Sequence, residues 1–328
     1  GYDYSHIKAT GSLTKDAFNG NIICHDPNLN FLFNGVVALS SKTNNAKYSF
    51  YANLGHADLY ALNIDKRGIS RVNFQASADF TKTNRGDLRG KVDIGDLTFE
   101  NRLGREDIGD ITLISYNSDD MYTIRMESKF ANGKYTGTAP VTTFISDLKD
   151  MTAKKEMPAL FADSTYVWKG NRYDLNFRCS NSMNLLSFIM PGLYIDAGTE
   201  LKASLDKEGT VKAELVSDRL AYGHNYLKGL KASFSNADDK LGGAVECDVI
   251  KLSSIVMNNS RMNLHAKDNS IGLKYAYDNP GEEVNRGELL LHGKLSRNDD
   301  SVETQIDILP SSIYLNSKQW KFEKSSIS

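Results

Sequence analysis

Between Val72 and Phe80 the chain alternates without a break. Val72, Phe74, Ala76, Ala78 and Phe80 are apolar, while Asn73, Gln75, Ser77 and Asp79 between them are polar. Successive side chains of a strand point to opposite faces, so this run specifies a strand with one apolar and one wetted face. The same period of two recurs along the whole chain. Leu29, Phe31 and Phe33 form one case, and Tyr48, Phe50, Ala52 and Leu54 another. Tyr122, Ile124 and Met126 form a third. In the second half come Leu201, Ala203 and Leu205, then Val211, Ala213 and Leu215. Leu230, Ala232 and Phe234 continue the series, with Val245, Cys247 and Val249 after them. Ile271, Leu273, Tyr275 and Tyr277 precede Leu289, Leu291 and Leu295, and Val302, Ile306 and Ile308 close it.

Polar turn signals separate these runs. Asn-Gly pairs stand at Asn19-Gly20, Asn34-Gly35 and Asn132-Gly133. Further signals are Lys207–Gly209, Asn236–Asp239, Asn279–Gly281 and Arg297–Asp300. Short alternating strands joined by such turns read as an antiparallel, all-β architecture. Three segments break the alternation. Ala57–Leu62 fits one helical turn. Pro140–Met151 places Pro at a first turn, with Phe144, Ile145 and Leu148 at helical spacing. Asn181–Met190 carries Met183, Leu186 and Met190 at spacings of three and four. These divide the chain into a first β module over residues 1–138, a helical connector over 139–163 and a second β module over 164–328.

Composition narrows the functional class. The 39 Lys and Arg against 41 Asp and Glu leave a net charge of −2, so no basic footprint for nucleic acid is present. Apolar residues at 40% and charged residues at 24% match a folded chain rather than a disordered one. No apolar run approaches the roughly 20 residues that span a bilayer as a helix. The chain starts with Gly and no leader, which reads as a section of a longer precursor. Cys24, Cys179 and Cys247 have neither metal nor redox spacing, and single buried thiols are the expectation.

No catalytic constellation stands out. The six histidines show no ligand spacing. His25-Asp26 is an adjacent pair that reads as an exposed turn ahead of Pro27. The acid pairs Asp119-Asp120, Asp238-Asp239, Glu282-Glu283 and Asp299-Asp300 sit among turn residues, where Asp bonds local backbone. Walker and nucleophile-elbow patterns are absent. The reading is a non-enzyme without a cofactor. The 16 Tyr, 14 Phe and 2 Trp alternate within strands, the usual pattern of a sheet face, with glycan stacking as the functional alternative.

The stretch Ala17–Ser40, with Asp26-Pro27-Asn28 between a strand and the apolar run Leu29–Phe33, resembles a segment of large Bacteroidetes envelope proteins of the TamB type, in the AsmA-like superfamily. Tyr48–Leu54, Ala57–Ile64 and Leu88–Phe99 are similar to the next segments of those proteins. Leu185–Leu201 looks like that family's helix–Pro–strand unit, and Ile308–Trp320 like its Pro-Ser and Trp signature. The resemblance implies an elongated, curved antiparallel sheet folded into a U-shaped groove. It implies a periplasmic section of a parent anchored in the inner membrane. The expected role is carriage of phospholipid acyl chains toward the outer membrane and support of outer-membrane assembly. An Omp85-type outer-membrane protein would be engaged by parts outside this section. The expected groove lining is Phe31, Phe33, Phe50, Val72, Phe74, Ala76, Phe80, Ile124, Met126, Leu201, Leu205, Leu215, Phe234, Val245, Leu273, Leu291 and Ile306. Terminal strands with free edges would also allow an edge-paired homodimer. The competing reading is a structural or adhesive closed β domain that binds glycans, with an envelope hydrolase ranked after it.

Overall fold

The computed structural model describes residues 1–39, 46–82, 88–118, 120–162, 165, 168–180, 186, 188, 190–298, 301–315 and 317–327. Among them the chain forms 22 strands against the one short α-helix Val141–Lys149 and single helical residues at Leu186 and Phe188, so the all-β, antiparallel class is borne out. The chain divides into two units, residues 1–136 with 180–191, and residues 137–179 with 192–328.

The first unit is a ladder of hairpin-linked strands. They are β1 (Ile7–Leu13), β2 (Ala17–Asp26), β3 (Leu29–Ala38), β4 (Ala46–Asp58), β5 (Ser70–Lys82), β6 (Leu88–Asn101), β7 (Gly104–Ser118) and β8 (Met121–Ser128). Each pairs antiparallel with the next. β9 (Ala131–Gly137) comes after them. In the second unit, β10 (Tyr173–Cys179) pairs with β12 (Glu200–Leu205). Antiparallel neighbours then run through β13 (Val211–Tyr222), β14 (Asn225–Ser235), β15 (Leu241–Leu252), β16 (Ile255–Lys267), β17 (Ser270–Asn279), β18 (Asn285–Asn298) and β19 (Ser301–Ile308). The short β11 (Leu193–Ile195) pairs with the far end of β13. β20 (Ser311–Leu315) pairs with β18 and with β21 (Lys318–Phe322), and β22 (Ser325–Ile327) with β19.

The expected helix after Pro140 is present as α1 (Val141–Lys149), continued by a π turn over Asp150–Lys154 and a 3₁₀ turn over Pro158–Leu160. Phe144 is buried and sets its ring 5.0 Å from that of Tyr173. Ile145 is exposed, because the next residue of a helix points about 100° away. The segment is tied along the hairpin ends of the second unit. Asn236 Nδ2 donates to the Met151 carbonyl at 3.3 Å, Asn269 N to the Glu156 carbonyl at 2.9 Å, and Arg297 Nε to the Ala159 carbonyl at 3.1 Å.

Ala57–Leu62 holds only part of a helical turn. Ala57 and Asp58 finish β4, and Leu62 N then donates to the Asp58 carbonyl at 2.9 Å. Of Asn181–Met190, residues 181–185, 187 and 189 lie outside the described residues. Phe188 packs its ring at a tilt against that of Phe99, 4.5 Å between centroids, within the first unit. The acids Asp119, Asp299 and Asp300 also lie outside the described residues.

The three Asn-Gly expectations are wrong. Asn19-Gly20 lies inside β2, Asn34-Gly35 inside β3 and Asn132-Gly133 inside β9. Gly20 pairs with Gly35, and Gly35 with Phe50. At both positions a Cβ would collide with the neighbouring strand's backbone, so these glycines permit close approach instead of turning the chain. The β2–β3 turn falls at Pro27-Asn28.

The expectation that His25-Asp26 is an exposed turn is half corrected. His25 is exposed, but Asp26 is buried at 6%. Its carboxylate accepts hydrogen bonds from the Tyr2 hydroxyl, from Ser5 N at 2.9 Å and Oγ at 2.8 Å, and from Asn28 N at 2.9 Å. The Tyr2 hydrogen bond, helped by those from Asn28 and Ser5, holds the Asp26 carboxyl well below the usual carboxylate range. A depressed folded-state pKa contributes stability that is present above the unfolded value of about 3.9 and is lost as pH falls through the folded one. Asp26→Asn therefore lowers the stability of the first unit at pH 7, and the gap to wild type narrows as pH falls below about 4. Urea melts at pH 7 and at about pH 2.5 check this; a gap unchanged by acid would refute it.

Candidate apolar ligand face

Cross-strand partners in an antiparallel pair share a face, so the register assembles the apolar positions into rows. In the first unit one row runs Ile22, Phe33, Ala52, Ala76, Ile94 and Ile111. The next runs Gly35, Phe50, Ala78, Val92, Leu113 and Met126. A third joins Tyr48, Phe80, Gly90, Ser115 and Ile124, and a fourth Cys24, Phe31, Leu54 and Phe74. Rings pack along and across the rows, with Phe33 and Phe50 5.4 Å apart and Tyr48 stacked on Phe80 at 4.5 Å. The opposite face is polar and bonded to itself. Tyr51 OH donates to Gln75 Oε1 at 3.0 Å, and Gln75 Nε2 to Asp96 Oδ2 at 3.1 Å.

The second unit repeats the arrangement over more strands. One row carries Leu175, Ala203, Ala213, Phe234, Gly243, Leu264, Leu273, Leu291 and Ile308. Beside it lie Phe177, Leu201, Leu215, Ala232, Val245, Met262, Tyr275 and Leu289. Between these two rows Leu201, Leu215, Phe234 and Val245 line a shallow cavity of about 240 Å³.

Every lining residue expected from the sequence belongs to these apolar faces, but not all are equally open. Phe50, Ala76, Phe80, Ile124, Met126, Leu201, Leu215, Phe234, Val245, Leu273 and Leu291 are half-buried. Phe31, Val72 and Phe74 are half-buried too, yet they pack against the cluster of Leu54, Ala57 and Leu62 that closes one end of the first unit's face. Phe33 is buried. Leu205 is fully buried, in register with Tyr173 and Val211, which are equally inaccessible. Ile306 is exposed, because β19 is covered beyond it only by the three residues of β22.

The half-burial has a physical cause. A sheet face loses its remaining exposure only when a second layer packs on it. The accessible surface totals 19543 Å². Two compact monomers, each of half the 36.4 kDa mass, would together expose about 16,000 Å². The total is larger, and large apolar side chains such as Tyr222, Leu252, Ile255 and Leu113 are among those that remain exposed. The second unit is covered along one margin, where Met157, Leu241 and Ala266 form a buried cluster against Phe234, Ile271 and Leu295.

The opposite margin of that face holds a larger cavity, of about 650 Å³, among Met257, Tyr275, Tyr277, Gly287, Leu289 and Ile313. Sequence reading placed Tyr275, Tyr277 and Leu289 on strands but missed the site. Ile255-Val256-Met257 is apolar without alternation, and Gly287 looks like any strand glycine. Gly287 stands opposite an aromatic residue, Tyr277, of the neighbouring strand, a relation that only the register reveals.

Cys24, Cys179 and Cys247 are buried, and none of them forms a disulfide. Burial pushes the thiols of Cys179 and Cys247 up, which makes them inert apolar filling. Among the described residues no three His, Cys, Asp or Glu side chains gather as a metal site would require, and no helix is long and apolar enough to cross a membrane. No protein-family model, curated protein or solved structure matches this chain.

Proposed function

We infer that each unit offers its apolar sheet face to the acyl chains of phospholipids, as a non-enzymatic section of a lipid-carrying envelope protein. The single observation that carries this reading is the row structure. Apolar side chains stay in register across up to nine strands of the second unit, and most remain half-exposed instead of closing into a core. Laying hydrocarbon on such a strip removes it from water at about 0.8 kcal/mol per methylene. Neighbouring rows differ little, so a chain can shift from one to the next without a deep trap. The likeness to TamB-type proteins adds the periplasmic setting, the inner-membrane anchor of a longer parent, the U-shaped groove and the Omp85-type partner. The closed, glycan-binding alternative requires a covered face or an exposed flat aromatic platform, and half-buried rows of mixed aliphatic and aromatic side chains, their rings packed on one another, suit neither.

The test uses a photoreactive phenylalanine analogue at Val245, on the apolar face, or at Glu246, on the opposite one. The purified chain is mixed with phosphatidylcholine vesicles and irradiated. Lipid adducts at position 245 are expected to exceed those at 246 about tenfold, the ratio set by roughly 1.4 kcal/mol of preference. Equal labelling, or none at 245, refutes the reading.

A further inference from the structure

We propose that the cavity bounded by Met257, Tyr277, Gly287 and Ile313 is a discrete resting site for one neutral acyl ester, whose carbonyl oxygen accepts a hydrogen bond from the Tyr277 hydroxyl. This rests on the acyl-chain reading above and adds to it a place where the chain pauses.

Four observations support it. The volume of about 650 Å³ falls in the range of small-molecule sites, roughly 300–1,000 Å³. Its walls hold no formally charged side chain, so a buried carboxylate or ammonium would find no partner. The two tyrosines are differently employed. The Tyr275 hydroxyl lies 3.1 Å from Ser260 Oγ and donates to Met257 Sδ at 3.0 Å. Among the described residues nothing hydrogen-bonds the Tyr277 hydroxyl, while burial pushes its pKa up and keeps it a neutral donor. That hydroxyl is available to donate to an ester carbonyl in place of water.

Two walls of the cavity close over Gly287, because a glycine there lets Tyr277 and Ile313 approach its backbone. A Cβ there would lie 2.7 Å from Tyr277 Cε1 and 3.0 Å from Ile313 Cγ1, so any side chain at 287 would push these two walls out of place. The hairpin carrying Met257 is fastened independently of any ligand. Asn258 N donates to Asn279 Oδ1 at 2.6 Å, and Asn279 Nδ2 to the Val256 carbonyl at 3.0 Å. The site is therefore preformed.

The experiment is equilibrium binding of a pyrene-labelled phosphatidylcholine to the whole chain, followed by fluorescence. Wild type is expected to show one saturable site. Tyr277→Phe should weaken it about fivefold, the worth of one neutral hydrogen bond. Gly287→Leu should weaken it about tenfold or more by displacing Tyr277 and Ile313; circular dichroism checks that this variant is folded. Methyl palmitate should displace the probe, and ionised palmitate should not. Wild-type affinity in either variant, or equal displacement by the carboxylate, overturns the proposal. Persistence of lipid adducts at Val245 would then leave the broader reading standing. Absence of any saturable binding together with absence of those adducts would remove both.

Discussion

Replacing Gly35 with Ala should melt the first unit about 10 °C below wild type and leave the second unit unchanged. Gly35 sits in β3 with φ at +140°, a conformation that side-chain-bearing residues occupy at a cost of roughly 1–3 kcal/mol. A Cβ at this position would also lie 2.3 Å from the Ser49 carbonyl oxygen and 2.7 Å from Phe50 Cβ. Backbone atoms of a paired strand cannot swing aside as a side-chain tip can. Strain and displacement together should cost about 3 kcal/mol or more. Each kcal/mol corresponds to roughly 2–4 °C for a unit of this size. Gly104 supplies the control. Its φ of +130° is equally unusual, but nothing lies within 4 Å of its would-be Cβ. Gly104→Ala therefore carries strain without collision and should cost about 1 kcal/mol, the lower end of the strain range. Calorimetry of both variants decides the matter. Equal shifts would mean that the close approach of β3 and β4 contributes nothing.

The contrast between these glycines shows what local sequence can and cannot reveal. Alternation from Val72 to Phe80 predicted not only a strand but which side chains share its face, because a period of two leaves no freedom once one residue is placed. The same logic put Leu273 and Leu291 on apolar faces, and the pairing of β17 with β18 brings them into one row. Asn34-Gly35 misled, since the pair is a hairpin signal only when the flanking strands fold back there. Here Gly35 answers to Phe50, a residue on another strand, and that relation is invisible until the register is known. Bulges hid more. Asp96 takes φ of +52° where β6 shifts register against β7, so alternation fails near Leu97 although Val92 and Ile94 lie on the apolar face. The cavity at Tyr277 was equally hidden. Its walls close over Gly287, where Tyr277 and Ile313 approach from the neighbouring strands, and that approach is invisible until the register is known. The open or closed state of the apolar face was likewise beyond composition, because it depends on whether a second layer packs there.

That last distinction can be measured with two leucines. Leu205 is 0% exposed, in register with Tyr173 and Val211, both also 0%. The ring of Tyr173 meets Phe144 of α1, and its hydroxyl donates to Asp147 Oδ2 at 2.5 Å, so this corner cannot collapse easily. Leu205→Ala should leave a cavity and cost about 3–4 kcal/mol. Leu273 occupies the long row of the same unit but is half-exposed. Truncating it returns only part of the roughly 1.5–3 kcal/mol that full burial of a leucine supplies, and water can enter the gap, so Leu273→Ala should cost about 1 kcal/mol. Urea denaturation of the two variants gives the comparison directly. A large cost at Leu205 with a small one at Leu273 is the signature of a covered margin beside an open face, and added phospholipid should then stabilise wild type more than Leu273→Ala. Equal costs near roughly 3 kcal/mol would mean that Leu273 is buried in solution. The apolar rows would then be the inside of a closed β core, and the glycan-binding or structural reading would replace lipid carriage.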